Sequence, residues 1–157
     1  VIYALDHIGI SASQLGLLIA LEMATAIVCY VPASAMADRF GKEPFVLATF
    51  VFFTLFPLSL IWARSFAGLA FAFAIRGLKE FGEPARKAVI ISLAPASNRG
   101  QTIGAYYLVR DLTVTAGSFL GAALWALSPE ANFWSAFAVG AAGTLIYRAS
   151  RRRIAVC

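Results

Sequence analysis

The sequence is poor in the residues that disulfide frameworks and metal sites need. Its 157 residues include two cysteines and one histidine. Cys29 lies in an apolar run and Cys157 is the last residue, so the sequence predicts neither a disulfide framework nor a metal site. His7 has no ligand partner at a useful spacing, and we interpret it as a turn residue.

Signatures of enzymes and of secreted or nucleic-acid-binding proteins are also missing. No phosphate-binding loop or nucleophile–base pair appears, so we expect neither an enzyme nor a bound cofactor. No basic segment followed by an apolar core marks a secretory signal. The chain starts at Val1 rather than Met, and we expect it to begin inside a longer protein. The basic residues behind the net charge of +5 lie at the ends of apolar runs, which argues against nucleic acid as a partner.

Long apolar runs are what the sequence has in abundance. Hydrophobic residues make up 61% of the chain, against about 45–50% in soluble domains, and the mean hydropathy is +0.79. Several runs approach the ~20 residues that a helix needs to cross a bilayer. The sequence therefore predicts an all-α, polytopic membrane protein. We expect the end of one helix, then five spans and a basic tail, at 15–37, 45–63, 66–93, 100–127, 133–147 and 148–157.

The loops divide the basic residues unequally between the two sides of the predicted bundle. The side opposite the 38–44 loop carries only Arg64, with Asp6 and Glu130 against it. Because basic loops stay in the cytoplasm, the sequence predicts that the 38–44 loop and the C-terminal tail are cytoplasmic. The basic residues on that side are Arg39, Lys42, Arg99, Arg148, Arg151, Arg152 and Arg153.

Residues 37–44, Ala-Asp-Arg-Phe-Gly-Lys-Glu-Pro, form a charged loop between the first two spans. Gly41 permits a turn with positive φ. Asp38 is suited to the positive N-terminal end of a helix, and Arg39 and Lys42 favour the cytoplasmic side. We expect these four residues to act as a cytoplasmic gate.

The order of residues in this loop resembles the loop signature of the major facilitator superfamily, roughly Gly-x-Leu-Ala-Asp-Arg-x-Gly-Arg-Lys. Ser34, Met36 and Glu43 depart from it. Arg76-Gly77-Leu78 with Gly82 resembles the start of that family's fourth or tenth helix, and Asn98-Arg99-Gly100 resembles the opening of the next. The resemblance covers nearly the whole chain. It implies five of the six helices of one half of the family's fold, which we expect to be the C-terminal half.

The third predicted span carries six charges on one helical face. An α-helix turns by ~100° per residue, and this turn places all six charges on the same side. Such a face is too charged to meet lipid, so it lines a water-filled cavity or meets charged neighbours. An alternative is that its end, with Arg86 and Lys87, is a solvated cytoplasmic extension. Pro84 is expected to bend the helix. The i,i+4 spacing predicts the pairs Arg76–Glu80, Lys79–Glu83 and Glu83–Lys87.

Three more charges lie deep in other spans. Glu22 is about nine residues into the first span, ~13 Å along its axis, and Arg110 and Asp111 are about as deep in the fourth. A buried carboxylate at mid-membrane is a candidate proton carrier, whereas a static ion pair is the alternative. Arg110 and Asp111 project about 100° apart, so at least one is structural. The candidates for substrate or proton coupling are Glu22, Arg76, Glu80, Glu83, Arg110 and Asp111.

The resemblance implies a secondary transporter that moves a small solute across a lipid bilayer by alternating access, without an ATP site. Its cavity would be completed by the other half of the transporter, with protons as the candidate coupling ion. We expect a bacterial inner (plasma) membrane as its location. The alternative is a non-transporting membrane scaffold or degenerate subunit that docks a partner through its charged helix.

Overall fold

The described fold consists of helices and short connections. The structure, a computed structural model, describes residues 2–154 and places side chains for residues 2–150. No β-strand occurs in that range, which confirms the all-α prediction. A π-helical turn at Tyr3–His7 comes first, and 3₁₀ segments lie at Lys79–Gly82 and Ala96–Asn98. The α-helices are α1 (Ala12–Phe40), α2 (Glu43–Trp62), α3 (Phe66–Leu78), α4 (Glu83–Leu93), α5 (Arg99–Leu127) and α6 (Pro129–Ile154).

Helix α1 has clear local signals at both ends. At its start, Gln14 N–H donates to Ser11 Oγ and Ser11 N–H donates to Gln14 Oε1, over 3.2 and 2.9 Å. This reciprocal capping box satisfies two backbone donors that the first turn leaves open. At its end, Gly41 has φ of 92°, a conformation that side-chain-bearing residues rarely adopt. The positive-φ turn expected at Gly41 is present.

The helices and the predicted spans differ mainly at the ends. Helix α1 extends three residues beyond the predicted span on each side, and α6 begins at Pro129, four residues before the predicted span 133–147. α6 also continues into the predicted tail as far as Ile154. The remainder of that tail, including Cys157, lies outside the described residues.

Two helices of the described chain, α1 and α2, are long and apolar enough to cross a membrane. The other described helices are not both long and apolar enough, for different reasons. The third predicted span is divided into helices of 13 and 11 residues. Helix α5 carries Arg110 and Asp111 near its middle, and the apolar run of α6 is short, between Asn132 and Arg148.

The third predicted span is not one continuous helix in the structure. Helices α3 and α4 together run from Phe66 to Leu93, and the 3₁₀ segment Lys79–Gly82 separates them. Pro84 lies in the first turn of α4 rather than at a bend within a continuous helix. Proline is well tolerated there because the first-turn N–H groups have no intrahelical partner. The interruption therefore precedes Pro84.

The helices contact one another in a row: α1 packs on α3, α3 on α2, α2 on α6, and α6 on α5. One apolar cluster includes Leu18, Leu69 and Phe73, and the other includes Phe45 and Ala85. Helix α5 contributes no buried residue to either cluster. The row thus leaves α1 and α5 as its two least covered members.

Two cavities lie at opposite ends of the helix bundle. One of about 920 Å³ is lined by residues of the α1–α2 connection, the end of α4 and the end of α6. One of about 370 Å³ is lined by the Tyr3 turn, the second half of α2, residues of α3, the end of α5 and the start of α6. The 38–44 loop and the end of α6 therefore lie at the same end of the bundle.

The α2–α6 contact depends on a glycine. A Cβ atom at Gly140 would lie 2.9 Å from Thr54 Oγ1, whereas one at Gly143 would meet nothing within 4 Å. We expect Gly140→Val to lower the free energy of unfolding by about 1–3 kcal/mol because the two helices must separate. Unfolding titrations of the intact protein in detergent would measure this, with Gly143→Val as control. Equal losses in both variants would contradict the close α2–α6 contact.

Candidate functional site

Glu22 is the buried charge at the centre of the candidate site. It lies in α1, and only 3% of its surface is exposed. Helix α3 approaches α1 closely because Gly77 has no side chain. A Cβ atom there would lie 2.6 Å from the Glu22 carbonyl oxygen and 2.7 Å from Thr25 Cβ. Since a buried carboxylate is costly without partners, the burial of Glu22 depends on the positive charges that lie next to Gly77.

Both carboxylate oxygens of Glu22 have a cationic partner. Arg76 Nη1 lies 3.1 Å from Oε2, and Lys79 Nζ lies 3.7 Å from Oε1. The Lys79 ammonium is also 3.7 Å from Glu80 Oε1. We call Glu22, Arg76, Lys79 and Glu80 the Glu22 cluster. Its two positive and two negative charges sum to zero, so burial of the central carboxylate is electrostatically compensated.

Phenylalanine rings surround the cations of the Glu22 cluster. The Arg76 guanidinium carbon lies 5.5 Å from the Phe56 ring centroid and 5.7 Å from that of Phe73. The Lys79 ammonium lies 5.7 Å from the Phe53 ring centroid. Such contacts attract a cation to the face of a ring and limit its movement. Arg76, whose side chain is 37% exposed, also lines the 370 Å³ cavity.

A second charge cluster lies beyond the 3₁₀ segment. Arg86 donates to Glu83 through Nη2 at 2.7 Å and Nε at 2.9 Å, a bidentate arrangement. Lys87 Nζ lies 3.7 Å from Glu83 Oε1. Arg86 Nη1 donates to the Tyr106 hydroxyl over 3.2 Å. We call these four residues the Glu83 cluster. It connects α4 to α5.

The sequence-predicted pairing of the third span is partly wrong. Glu83–Lys87 is present, but Arg76 pairs with Glu22 rather than Glu80. Lys79 pairs with Glu22 and Glu80 rather than Glu83. The i,i+4 rule assumes a continuous α-helix, whereas residues 79–82 follow a 3₁₀ path of about 3.0 residues per turn. The interruption divides one predicted charged face into two clusters.

Arg110 and Asp111 pair with each other rather than with the clusters. Arg110 Nη1 lies 3.4 Å from Asp111 Oδ1, with side chains 44% and 66% exposed. The Arg110 guanidinium carbon lies 5.6 Å from the Tyr107 ring centroid. Among the described residues, the structure does not bring this pair to Glu22.

The loop-signature residues lie at the other cavity. Asp38 and Arg39 are in the last turn of α1, and Gly41 and Lys42 alone connect it to α2. The Arg39 guanidinium carbon is 5.5 Å from the Phe40 ring centroid. Asp38, Gly41 and Lys42 line the 920 Å³ cavity. Their arrangement is compatible with a gate, which remains a prediction.

Sequence reasoning left two residues out of the candidate site. Lys79 was visible as a charge, but its pairing with Glu22 depends on how α3 lies against α1. Thr49 of α2 is buried and accepts a hydrogen bond from Gly82 N–H at 3.0 Å. A threonine in an apolar run gives no sequence signal for such a contact.

Comparison with known proteins agrees with the helical fold and the loop signature. The sequence matches the family model described as Major Facilitator Superfamily over residues 1–155. No curated protein matches the chain. Since the family model covers nearly all of the sequence, the chain belongs to the Major Facilitator Superfamily, a family of membrane transporters.

Proposed function

We propose that this protein is a secondary active transporter of a small solute, working by alternating access with the Glu22 cluster in its transport path. The observation that carries the proposal is the buried Glu22 carboxylate shared by two cations of the third span. Ionisable groups within membrane-spanning segments are costly and mark substrate or proton pathways. Family membership supports transport in general, and this cluster supplies chemistry for it.

Competition for the cations is the proposed coupling step. Proton uptake by Glu22 would remove the negative charge that holds Arg76 and Lys79, so Arg76 would become available to an anionic group while Lys79 kept its pairing with Glu80. Loss of the proton would restore the ion pairs and displace that group. A charge-assisted contact of this kind is strong enough to bias two arrangements of the same helices.

The same proposal includes placement in the membrane. We place the 38–44 loop and the end of α6 in the cytoplasm because their side carries most of the basic loop residues. A bacterial inner membrane is the proposed location. The exposed faces of α1 and α5 would meet the other half of the transporter, which completes the cavity.

Reconstitution tests this function. The intact protein would be reconstituted into liposomes that enclose the pH dye pyranine, and a pH gradient would be imposed across their membrane. A panel of amino acids, organic acids, sugars and lipophilic cations would then be added one at a time. We expect one solute class to produce a proton flux that falls by roughly tenfold or more in Glu22→Gln. Glu130→Gln, at an exposed position, is the matched control.

Two outcomes would contradict the proposal. Uptake that is as fast in Glu22→Gln as in the unmodified protein would remove Glu22 from the transport path. Absence of movement for every solute tested, in radiolabel as well as dye assays, would favour the non-transporting scaffold.

A further inference from the structure

We propose that Thr49 is a positioning residue, whose hydroxyl fixes the interrupted third span on α2 and so sets the position of Lys79 relative to Glu22. The inference deepens the proposed function and rests on it for the role of the Glu22 cluster. The contacts themselves are properties of the fold.

The interruption leaves backbone groups without their usual helical partners. Helix α3 ends at Leu78 and α4 begins at Glu83, with 3₁₀ geometry between them. In the first turn of α4, Pro84 has no N–H group, and the Glu83 N–H donates to the Glu80 carbonyl oxygen, a 3₁₀ bond instead of an α-helical one. A buried N–H without a good partner is costly, so an acceptor on a neighbouring helix stabilises the interruption.

Thr49 supplies that acceptor. Its hydroxyl accepts from Gly82 N–H at 3.0 Å and donates to the Phe45 carbonyl oxygen at 3.3 Å. The residue is 2% exposed, so water does not compete freely for the hydroxyl. One side chain of α2 therefore joins the backbone of α2 to the backbone of the 3₁₀ segment.

Packing restricts the 3₁₀ segment to the same place. A Cβ atom on Gly82 would overlap the Phe45 carbonyl oxygen, so the two backbones are in direct contact. The Phe81 ring stacks on Phe45, with 5.3 Å between centroids and 25° between planes. The hydrogen bond and the stack together define a single register of residues 79–82 on α2.

This register decides which charges meet. Arg76, near the end of α3, and Lys79, the first residue of the 3₁₀ segment, both pair with Glu22 of α1. After that segment, Arg86 contacts Tyr106 of α5. In 3₁₀ geometry a shift by one residue would rotate a side chain by about 120° and take Lys79 away from Glu22. Thr49 thus holds the segment between two charge clusters, one of which contacts α1 and the other α5.

Two substitutions separate this role from simple packing. Thr49→Val keeps the volume of the side chain but removes the hydrogen-bonding hydroxyl, whereas Thr49→Ser keeps the hydroxyl and removes a methyl group. If Thr49 only fills space, Val is neutral and Ser is harmful. If the hydroxyl holds the register, the order is reversed.

The experiment uses the intact protein in liposomes and two measurements. Hydrogen exchange followed by mass spectrometry reports the Gly82 amide, and labelling with dicyclohexylcarbodiimide, an apolar reagent for protonated carboxyl groups, reports Glu22. In Thr49→Val we expect Gly82 exchange to rise by roughly tenfold, which corresponds to about 1.4 kcal/mol for one hydrogen bond. Glu22 labelling should rise with it because Lys79 moves away. Thr49→Ser should match the unmodified protein in both measurements.

The opposite results would overturn the inference. One such result is a Thr49→Val variant in which Gly82 exchange or Glu22 labelling equals that of the unmodified protein. The other is a Thr49→Ser variant in which both measurements change as much as in Thr49→Val. Lys79→Met serves as a positive control, since it directly removes one of the two cations that pair with Glu22. Neither measurement needs transport, so a failed solute screen would contradict the proposed function without deciding the role of Thr49.

Discussion

Gly82→Ala is expected to lower the free energy of unfolding by about 3 kcal/mol or more, the upper range for an overpacked core. The added methyl group would occupy the position of the Phe45 carbonyl oxygen and would also crowd the Thr49 hydroxyl. Neither atom belongs to the far end of a flexible side chain, so α2 and the 3₁₀ segment must separate. Denaturant titration in detergent would measure the loss, and gel filtration would show the fraction that remains monodisperse.

Gly143→Ala is the matched control for this prediction. The same methyl group at Gly143 of α6 meets nothing within 4 Å. Alanine in an exposed helix is favoured over glycine by roughly 0.5–1 kcal/mol, so this variant should be as stable as the unmodified protein or slightly more stable. Similar stability of the two variants would contradict the close contact between Gly82 and α2.

Glu22→Leu should cost about 3 kcal/mol of stability, because it leaves two cations next to an apolar side chain. Removing one partner of a buried ion pair typically costs about 3–5 kcal/mol. We expect the lower end of this range because the Arg76 side chain is 37% exposed to solvent and Lys79 keeps its pairing with Glu80. Unfolding of the intact protein in detergent would give the value.

The double variant Glu22→Leu, Arg76→Leu tests whether charge is the cause. Replacing both members of a buried pair by apolar residues is often neutral, so the second substitution should recover part of the loss. A double variant that is less stable than Glu22→Leu would mean that Arg76 contributes mainly through its contacts with Phe56 and Phe73.

Much of the architecture could be predicted because it follows from local sequence. Apolar runs set the helices, Gly41 marks the turn after α1, and residues 37–44 carry the family signature. The limits of the third span, Phe66 and Leu93, follow from a cap at Ser65 and from the polar residues after Ala94. These features depend on neighbours in the chain.

The pairing of charges could not be predicted, because it depends on contacts between helices. Periodicity treated the third span as one helix, whereas Thr49 on α2 holds an interruption at Gly82. Once the span is interrupted, Lys79 turns from Glu83 to Glu22. The close approach that permits this contact is set by Gly77 and Thr25, which lie far apart in the sequence.

The neutrality of the Glu22 cluster has a consequence for the membrane potential. Moving one elementary charge across 100 mV involves about 2.3 kcal/mol, but Glu22, Arg76, Lys79 and Glu80 move no net charge when they reorient together. Reorientation of this cluster by itself is therefore insensitive to voltage when no solute or proton is bound. A voltage-dependent step in the empty protein would have to involve charges outside it, such as the Glu83 cluster, in which two cations share one carboxylate.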